Sequence, residues 1–269
     1  SVPQPLAWPV TDWDDWERLK AGRFQTHIED RLPPNWDDLV IEYRDRDYPL
    51  SIGSGYCGFF GSLRVLMGEV NLFYAYYDQP DLLQDMARFL CDFWIEIYGH
   101  VLAQVRDVDS AEFWEDMCYK NGPMISPAMF REFMMPHYKR LLGFLRDHGV
   151  RHFCVDTDGD CRSLIPLFLE CGMTGMLPFE VQAGCDIIEI RKQYPRLQIY
   201  GGLDKNAVAR GQDAIDAELD AKLAPLLQQG GYIPFVDHLV HPEVSWDSFR
   251  YYRQRIQEVA TSVGSGLSH

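Results

Sequence analysis

The sequence predicts an α/β fold: a (β/α) barrel of parallel strands. Three observations carry this. First, short apolar runs alternate with stretches of 3.6-residue periodicity, about six of each, which implies parallel strands joined by right-handed helical crossovers. Second, run after run ends in an acid or a histidine: Asp116, Asp156, Glu180, Asp204 and the pair Asp237-His238. A doubly wound sheet gathers only the strand ends at its switch point, whereas a barrel brings every strand end to one mouth. Third, 269 residues, 46% hydrophobic and 13% aromatic, suit one large domain, and no linker, composition break or solenoid-type repeat divides them.

Taken in order, residues 1–48 read as a lead-in that packs on the barrel. Thr11-Asp-Trp-Asp-Asp-Trp-Glu17 is a helix start, with Thr11 or Asp12 as cap and Trp13 and Trp16 on one face. Arg31-Leu-Pro-Pro-Asn-Trp36 is a turn. The barrel domain is expected over 49–262, with strands at Pro49–Gly53, Ala111–Asp116, Phe153–Asp156, Thr174–Pro178, Gln198–Gly202 and Tyr232–Val236. Gly53-Ser-Gly-Tyr-Cys-Gly58 opens the first barrel helix. Such a loop can bind an anion, but it has neither the phosphate-loop Lys nor the GxGxxG spacing, and a tight strand-to-helix turn accounts for the glycines. Asp78-Gln-Pro-Asp81 starts a long helix carrying Leu82, Leu83, Met86, Phe89, Leu90, Phe93, Ile97 and Leu102 at helical spacing. Ser126 caps a further helix with Pro127 at its first position. Later helices are expected near 186–192, around Ile215–Leu227, and from Ser245 to Val259, with a disordered tail over 263–269.

The centre of the chain is His152-Phe-Cys-Val-Asp-Thr-Asp-Gly-Asp160, an apolar run that breaks into three carboxylates around a glycine. One reading is an acidic loop that caps the next helix through Asp160. The other is a functional strand end. Several carboxylates at one mouth repel one another, so some stay protonated or a cation neutralises them. Two Asp oxygens and one His nitrogen suit a divalent ion with open positions, such as zinc, manganese or magnesium. Without metal, Asp156 or Asp158 could act as general acid with His238 as partner. Tyr56, in the glycine-rich loop, is a candidate pocket residue; ordinary packing is the alternative.

Composition excludes other classes. A net charge of −15 and a pI near 4.9 disfavour nucleic acid and anionic membrane surfaces. No apolar run approaches the ~20 residues of a membrane span. No basic-then-apolar leader opens the sequence. Seven scattered cysteines without a CxxC pair read as reduced core thiols of a cytoplasmic protein.

With these residues in view, the chain resembles the uroporphyrinogen decarboxylase superfamily. The matching pieces are the Asp158-Gly159 turn, Pro178-Phe-Glu180, Gly201-Gly-Leu-Asp-Lys205, and Gly230-Gly-Tyr-Ile…Asp237-His238 with Pro242-Glu-Val244. Ile125-Ser-Pro…Phe130-Arg-Glu-Phe133…Pro136 matches as well. They run in the family's order between about Pro49 and Tyr252. The resemblance implies a TIM-type (β/α)8 barrel. Against the family's pattern the chain begins near the approach to the third strand, so the first one or two strands are expected to be lacking. The 1–48 lead-in, or a second copy in a homodimer, would then close the open edge.

The resemblance implies one of two activities: corrinoid-linked methyl transfer from a small methylated substrate, or decarboxylation of a tetrapyrrole. A non-catalytic binding remnant is the third reading. The decarboxylase's arginine segment and first-strand Asp would precede residue 1. The thiol methyltransferases hold zinc with a His-x-Cys pair and a later Cys. Aligned on the turn glycine, Asp156 and Asp158 fall on that pair and His238 falls near the later Cys. Asp156, Asp158 and His238 are therefore the expected catalytic and metal centre, with zinc as the expected ion. Tyr56, Asp116, Glu180, Asp204 and Asp237 are the expected substrate contacts. His152-x-Cys154 copies the zinc spelling, but earlier in its strand, where alternation turns one or both residues from the mouth. The expected partners are a small-molecule substrate, a corrinoid protein and a second copy.

Overall fold

Strands form where short apolar runs meet turn residues, and a computed structural model places them close to where the periodicity does. It describes residues 5–25, 27–53, 55 and 57–267, with side chains as far as residue 264. Contacts divide the chain into two compact units. The first comprises Ser1–Glu115, Ile125–Phe153 and Leu167–Met173; the second comprises Asp116–Met124, Cys154–Pro166 and Thr174–His269.

In the first unit, β1 (Ser51–Gly53) pairs in parallel with β2 (Ser110–Trp114), Ile52 opposite Ala111. The long helix runs Pro80–Gln104, with Pro80 in its first turn and Asp81 meeting the positive end of its dipole. Leu82, Leu83, Met86, Leu90 and Phe93 lie on its buried face, as their spacing requires. The lead-in does more than cover this core. Asp12 caps the helix Trp13–Arg23 by accepting from the Asp15 N–H at 2.9 Å, and this delivers Trp16, fully buried, edge-on to Phe24 and Phe89. Trp13, expected on the same face, is exposed.

The helix capped by Ser126 is not continuous. It runs Pro127–Met129, passes through a π turn at Phe130–Met134, and resumes over Met135–Asp147. Pro136 has no N–H for the Glu132 carbonyl, which accepts from Gln84 Nε2 at 3.2 Å instead.

The second unit opens with a hairpin that periodicity did not announce. Its strands are β3 (Cys118–Tyr119) and β4 (Gly122–Pro123), turned at Lys120-Asn121. The next strands are β5 (His152–Asp156), β6 (Gly175–Leu177), β7 (Gln198–Tyr200) and β8 (Tyr232–Ile233). β5 pairs with β6 through Cys154–Asp156, β6 with β7, and β7 with β8, all in parallel. Every pairing found within the units among the six predicted strands is parallel. Beyond β8, Val236 still bridges Leu203 in parallel. Helices Ile187–Gln193, Lys205–Arg210, Gln212–Gln229 and Trp246–Leu267 complete the unit. Leu203, Leu219, Leu223, Val236, Tyr252 and Ile256 form its core, each buried side chain worth about 2 kcal/mol. The last helix continues as far as Leu267, through residues expected to be a disordered tail. No helix among the described residues is long and apolar enough to cross a membrane.

Candidate functional site

The site grows from the end of β5. Thr157 is fully buried because its hydroxyl accepts the Met117 N–H at 3.1 Å and donates to Cys118 Sγ at 3.7 Å. Asp158 comes next, and the chain turns at Gly159 with φ +74°. A Cβ there would lie 2.6 Å from the Cys118 carbonyl oxygen and 2.7 Å from that of Tyr119, so only glycine fits beneath the hairpin. The Asp160 N–H donates to Tyr119 O at 3.0 Å. Its carboxylate binds Arg162 through Nε at 2.8 Å and Nη2 at 2.7 Å, which holds the Asp160 carboxyl below its ordinary range. Asp160 is therefore committed to the loop itself.

Glu180 arrives from β6 through Phe179, a buried phenylalanine held at φ +58°. One Glu180 oxygen accepts the Gly159 N–H at 3.1 Å; the other lies 3.4 Å from Lys205 Nζ. His238 follows the last strand and places Nε2 3.5 Å from Asp158 Oδ2. Asp158, Glu180 and His238 each offer a ligand atom, and the three atoms lie within 4.8 Å of one another. Among the described residues this is the group of His, Cys, Asp and Glu side chains that could hold a metal ion. Burial, then the neighbouring Asp116 and Glu180 charges, push the Asp158 carboxyl up; His238 and Lys205 oppose them only in part. Such a surplus of negative charge fits a cation or a retained proton.

The other expected site residues are placed differently. Asp156 remains within the β5 ladder, opposite Leu177, and Glu180 takes its place among the potential ligands. The strand ends before Asp158, so the two aspartates, although two apart, do not share one face of a continuing strand. Asp237 is fully buried and spent on backbone: it accepts from Val181 N at 2.8 Å and Lys205 N at 3.1 Å. It thereby fixes the residues that follow Glu180 and carry the Lys205 ammonium. Burial pushes its carboxyl up against the pull of those two donors.

Asp204 caps the helix Lys205–Arg210 through Asn206 N at 2.9 Å and binds Arg210 at 3.2 Å. Asp116 sits at φ +42°, and its N–H donates to Asp156 O at 3.2 Å. His152 is exposed and Cys154 buried, and neither belongs to the metal-capable group. Tyr56 lies outside the described residues. Lys205 is the residue that strand-end reasoning passed over. Its signal was its place directly after Asp204 in Gly201-Gly-Leu-Asp-Lys205, at the first position of a helix.

The comparisons with known proteins bear on the family and the fold. The profile of the family described as "Uroporphyrinogen decarboxylase (URO-D)" matches residues 7–259. Among solved structures, a methyltransferase from Methanosarcina mazei matches with a TM-score of 0.54 at 13% identity. The match covers 84% of this chain and 68% of that one, and at that identity the likeness is one of fold. A comparison with curated proteins finds no match.

Proposed function

The chain belongs to the uroporphyrinogen decarboxylase family, and from that premise we propose that it is a methyltransferase that moves a methyl group from a small methylated substrate to a corrinoid-carrying partner. The family fold is the TIM-type (β/α)8 barrel, and the parallel strands and alternating helices described above conform to it. The observation that carries the proposal is the convergence of Asp158, Glu180 and His238 within 4.8 Å. Two carboxylates and an imidazole are a donor set for a divalent ion that keeps open positions. A zinc ion held by these three would supply Lewis acidity toward the heteroatom that carries the methyl group.

The chain's own residues do the rest. Lys205 and the Gly159 N–H hold Glu180 by its two oxygens, so that its position is fixed before substrate arrives. In the alternative without an ion, Asp158, with its carboxyl pushed up, keeps a proton to higher pH and can donate it to the heteroatom as the methyl group leaves. His238, beside it, then takes up or returns that proton.

The charge at the site supports a small substrate over a tetrapyrrole with many carboxylates. Arg162 and Arg210 are engaged by Asp160 and Asp204, and the basic side chains paired with Asp158 and Glu180 are His238 and Lys205. A polycarboxylate would meet net repulsion there.

Elemental analysis and zinc titration of the purified chain, beside Asp158→Ala, test the metal. Stoichiometric zinc in the wild type and its loss in the variant are expected. Methylated thiols, amines and ethers assayed with a corrinoid acceptor test the reaction, and coproporphyrinogen formation is the competing outcome. Near-zero metal in both proteins would leave only the acid–base role of Asp158, and full turnover by Asp158→Asn would remove that as well.

A further inference from the structure

Two helices of the first unit flank a cavity of about 450 Å³ that the proposed chemistry leaves unused. Leu90, Trp94 and Ile97 stand at i, i+4 and i+7 of the helix Pro80–Gln104 and form one wall. Leu66, of the helix Phe59–Met67, forms another. Arg31, an exposed residue beyond the helix Trp13–Arg23, lines it as well. The volume falls in the range of about 300–1,000 Å³ that small-molecule sites occupy. Asp158, Glu180 and His238 take no part in the lining.

Charge narrows what the cavity can hold. The chain has 40 acidic residues, and none of them lines it; its charged lining residue is Arg31. The guanidinium is fixed by its own loop. Nε donates to Gln25 O at 3.2 Å, and Nη2 donates to Arg23 O at 2.9 Å and Gln25 O at 2.8 Å. Its Cζ lies 4.6 Å from the centroid of the Phe93 ring, which supports the group from one side. Among the described residues, Nη1 has no hydrogen-bond partner and no carboxylate pairs with Arg31. A planar fork held in place with one arm open is a ready partner for a carboxylate.

We propose that this cavity is a binding site for an apolar monocarboxylate of the size of a medium-chain fatty acid, with its tail between the helices and its carboxylate on Nη1 of Arg31.

Other ligand chemistries fit less well. An amphipathic cation would meet the guanidinium and find no acid on the wall. A polyol or nucleotide would set many polar groups against leucine, isoleucine and tryptophan side chains. A neutral hydrocarbon would fill the apolar part and leave the open arm of Arg31 unused. The proposal does not rest on the metal reading, because the two sites share no residue.

Calorimetric titration of the full chain with octanoate, 1-octanol and octylamine tests it. Octanoate should bind one to a chain, and octanol about fivefold more weakly, as befits the loss of a charge-assisted bond to a partly exposed guanidinium. Octylamine should bind more weakly than either. Arg31→Gln should bring octanoate down to the level of octanol and leave octanol unchanged, whereas Arg31→Lys, which keeps a charge, should retain part of the difference. Val65 lines the cavity and is 37% exposed, so Val65→Trp fills the space from a surface position and should abolish binding of both. Quenching of tryptophan fluorescence by 8-bromooctanoate should fall in Trp94→Phe. If Arg31→Gln loses octanol too, the wild type's preference for octanoate over octylamine decides, and equal affinity for the two would overturn the carboxylate. Absence of saturable octanoate binding, or octanoate binding undiminished in Arg31→Gln or in Val65→Trp, would overturn the proposal. A dimer that Val65→Trp dissociates, with no octanoate bound by the wild type, would put a second copy in place of the carboxylate.

Discussion

Replacing Glu115 by Gln changes how stability depends on pH. Glu115 follows β2 and is fully buried in the first unit. Its carboxylate accepts the Phe59 N–H at 2.8 Å and the Gly61 N–H at 2.7 Å, at the start of the helix Phe59–Met67, and also the Tyr138 hydroxyl. Burial outweighs these donors and pushes the carboxyl from the ordinary 4.5 to about 7. For an acid raised in the folded state, the unfolded chain gives up its proton first. Between pH 4.5 and about 7 the folded protein therefore binds more protons, and stability falls as pH rises. The contribution is complete below pH 4.5 and gone above about pH 7. Each pKa unit is worth about 1.4 kcal/mol, so the span amounts to on the order of 3 kcal/mol.

Glu115→Gln cannot titrate and lacks this slope. Urea unfolding of both proteins at several pH values from about 4.5 to 8 measures it. The wild type should lose about 3 kcal/mol relative to the variant across the range. The comparison cancels the contributions of Asp158 and Asp237, whose carboxyls are raised in the same direction. Parallel curves would refute the assignment of a raised, buried carboxyl to Glu115.

Two further changes test the frame of the site. Asp237→Ala strands the Val181 and Lys205 N–H groups and should cost about 2–4 kcal/mol in urea unfolding, with Asp237→Asn losing less because one oxygen acceptor remains. Gly159→Ala places a side chain at φ +74° against the Cys118 carbonyl and should lower stability by about 2 kcal/mol or more, read from the thermal midpoint.

Much of the fold was legible because strand and helix periods are set by neighbours along the chain. The six strands fell where apolar runs ended in turn residues, and the long helix fell where its leucines repeated. Asp158, Glu180 and His238 could be named for the same reason, since each follows such a run. The exchange of Asp156 for Glu180 could not be read. It depends on where β5 stops and on the hairpin Cys118–Pro123 that forces the glycine turn. The chain also carries two adjacent acids after β2, and nothing local tells them apart. Glu115 goes inside to cap a helix, while Asp116, with its charge near Asp158, belongs to the site's surroundings.

By itself the sequence determined the class of fold, the order of its elements and the surplus of acid at the strand ends, because hydrophobic period and residue type need no partner to be read. Tertiary structure decided what each acid does. Asp237 became a backbone bracket, Asp204 a helix cap, Glu180 a potential ligand held by Lys205, and Cys185 the support of a turn. A carboxylate's role is set by the donors that reach it, and here many of those donors come from segments 20 to 60 residues away, as with Val181 and Asp237, 56 apart. Burial then shifts the carboxyl that those donors leave exposed to other charges, and neither influence exists until the chain has folded.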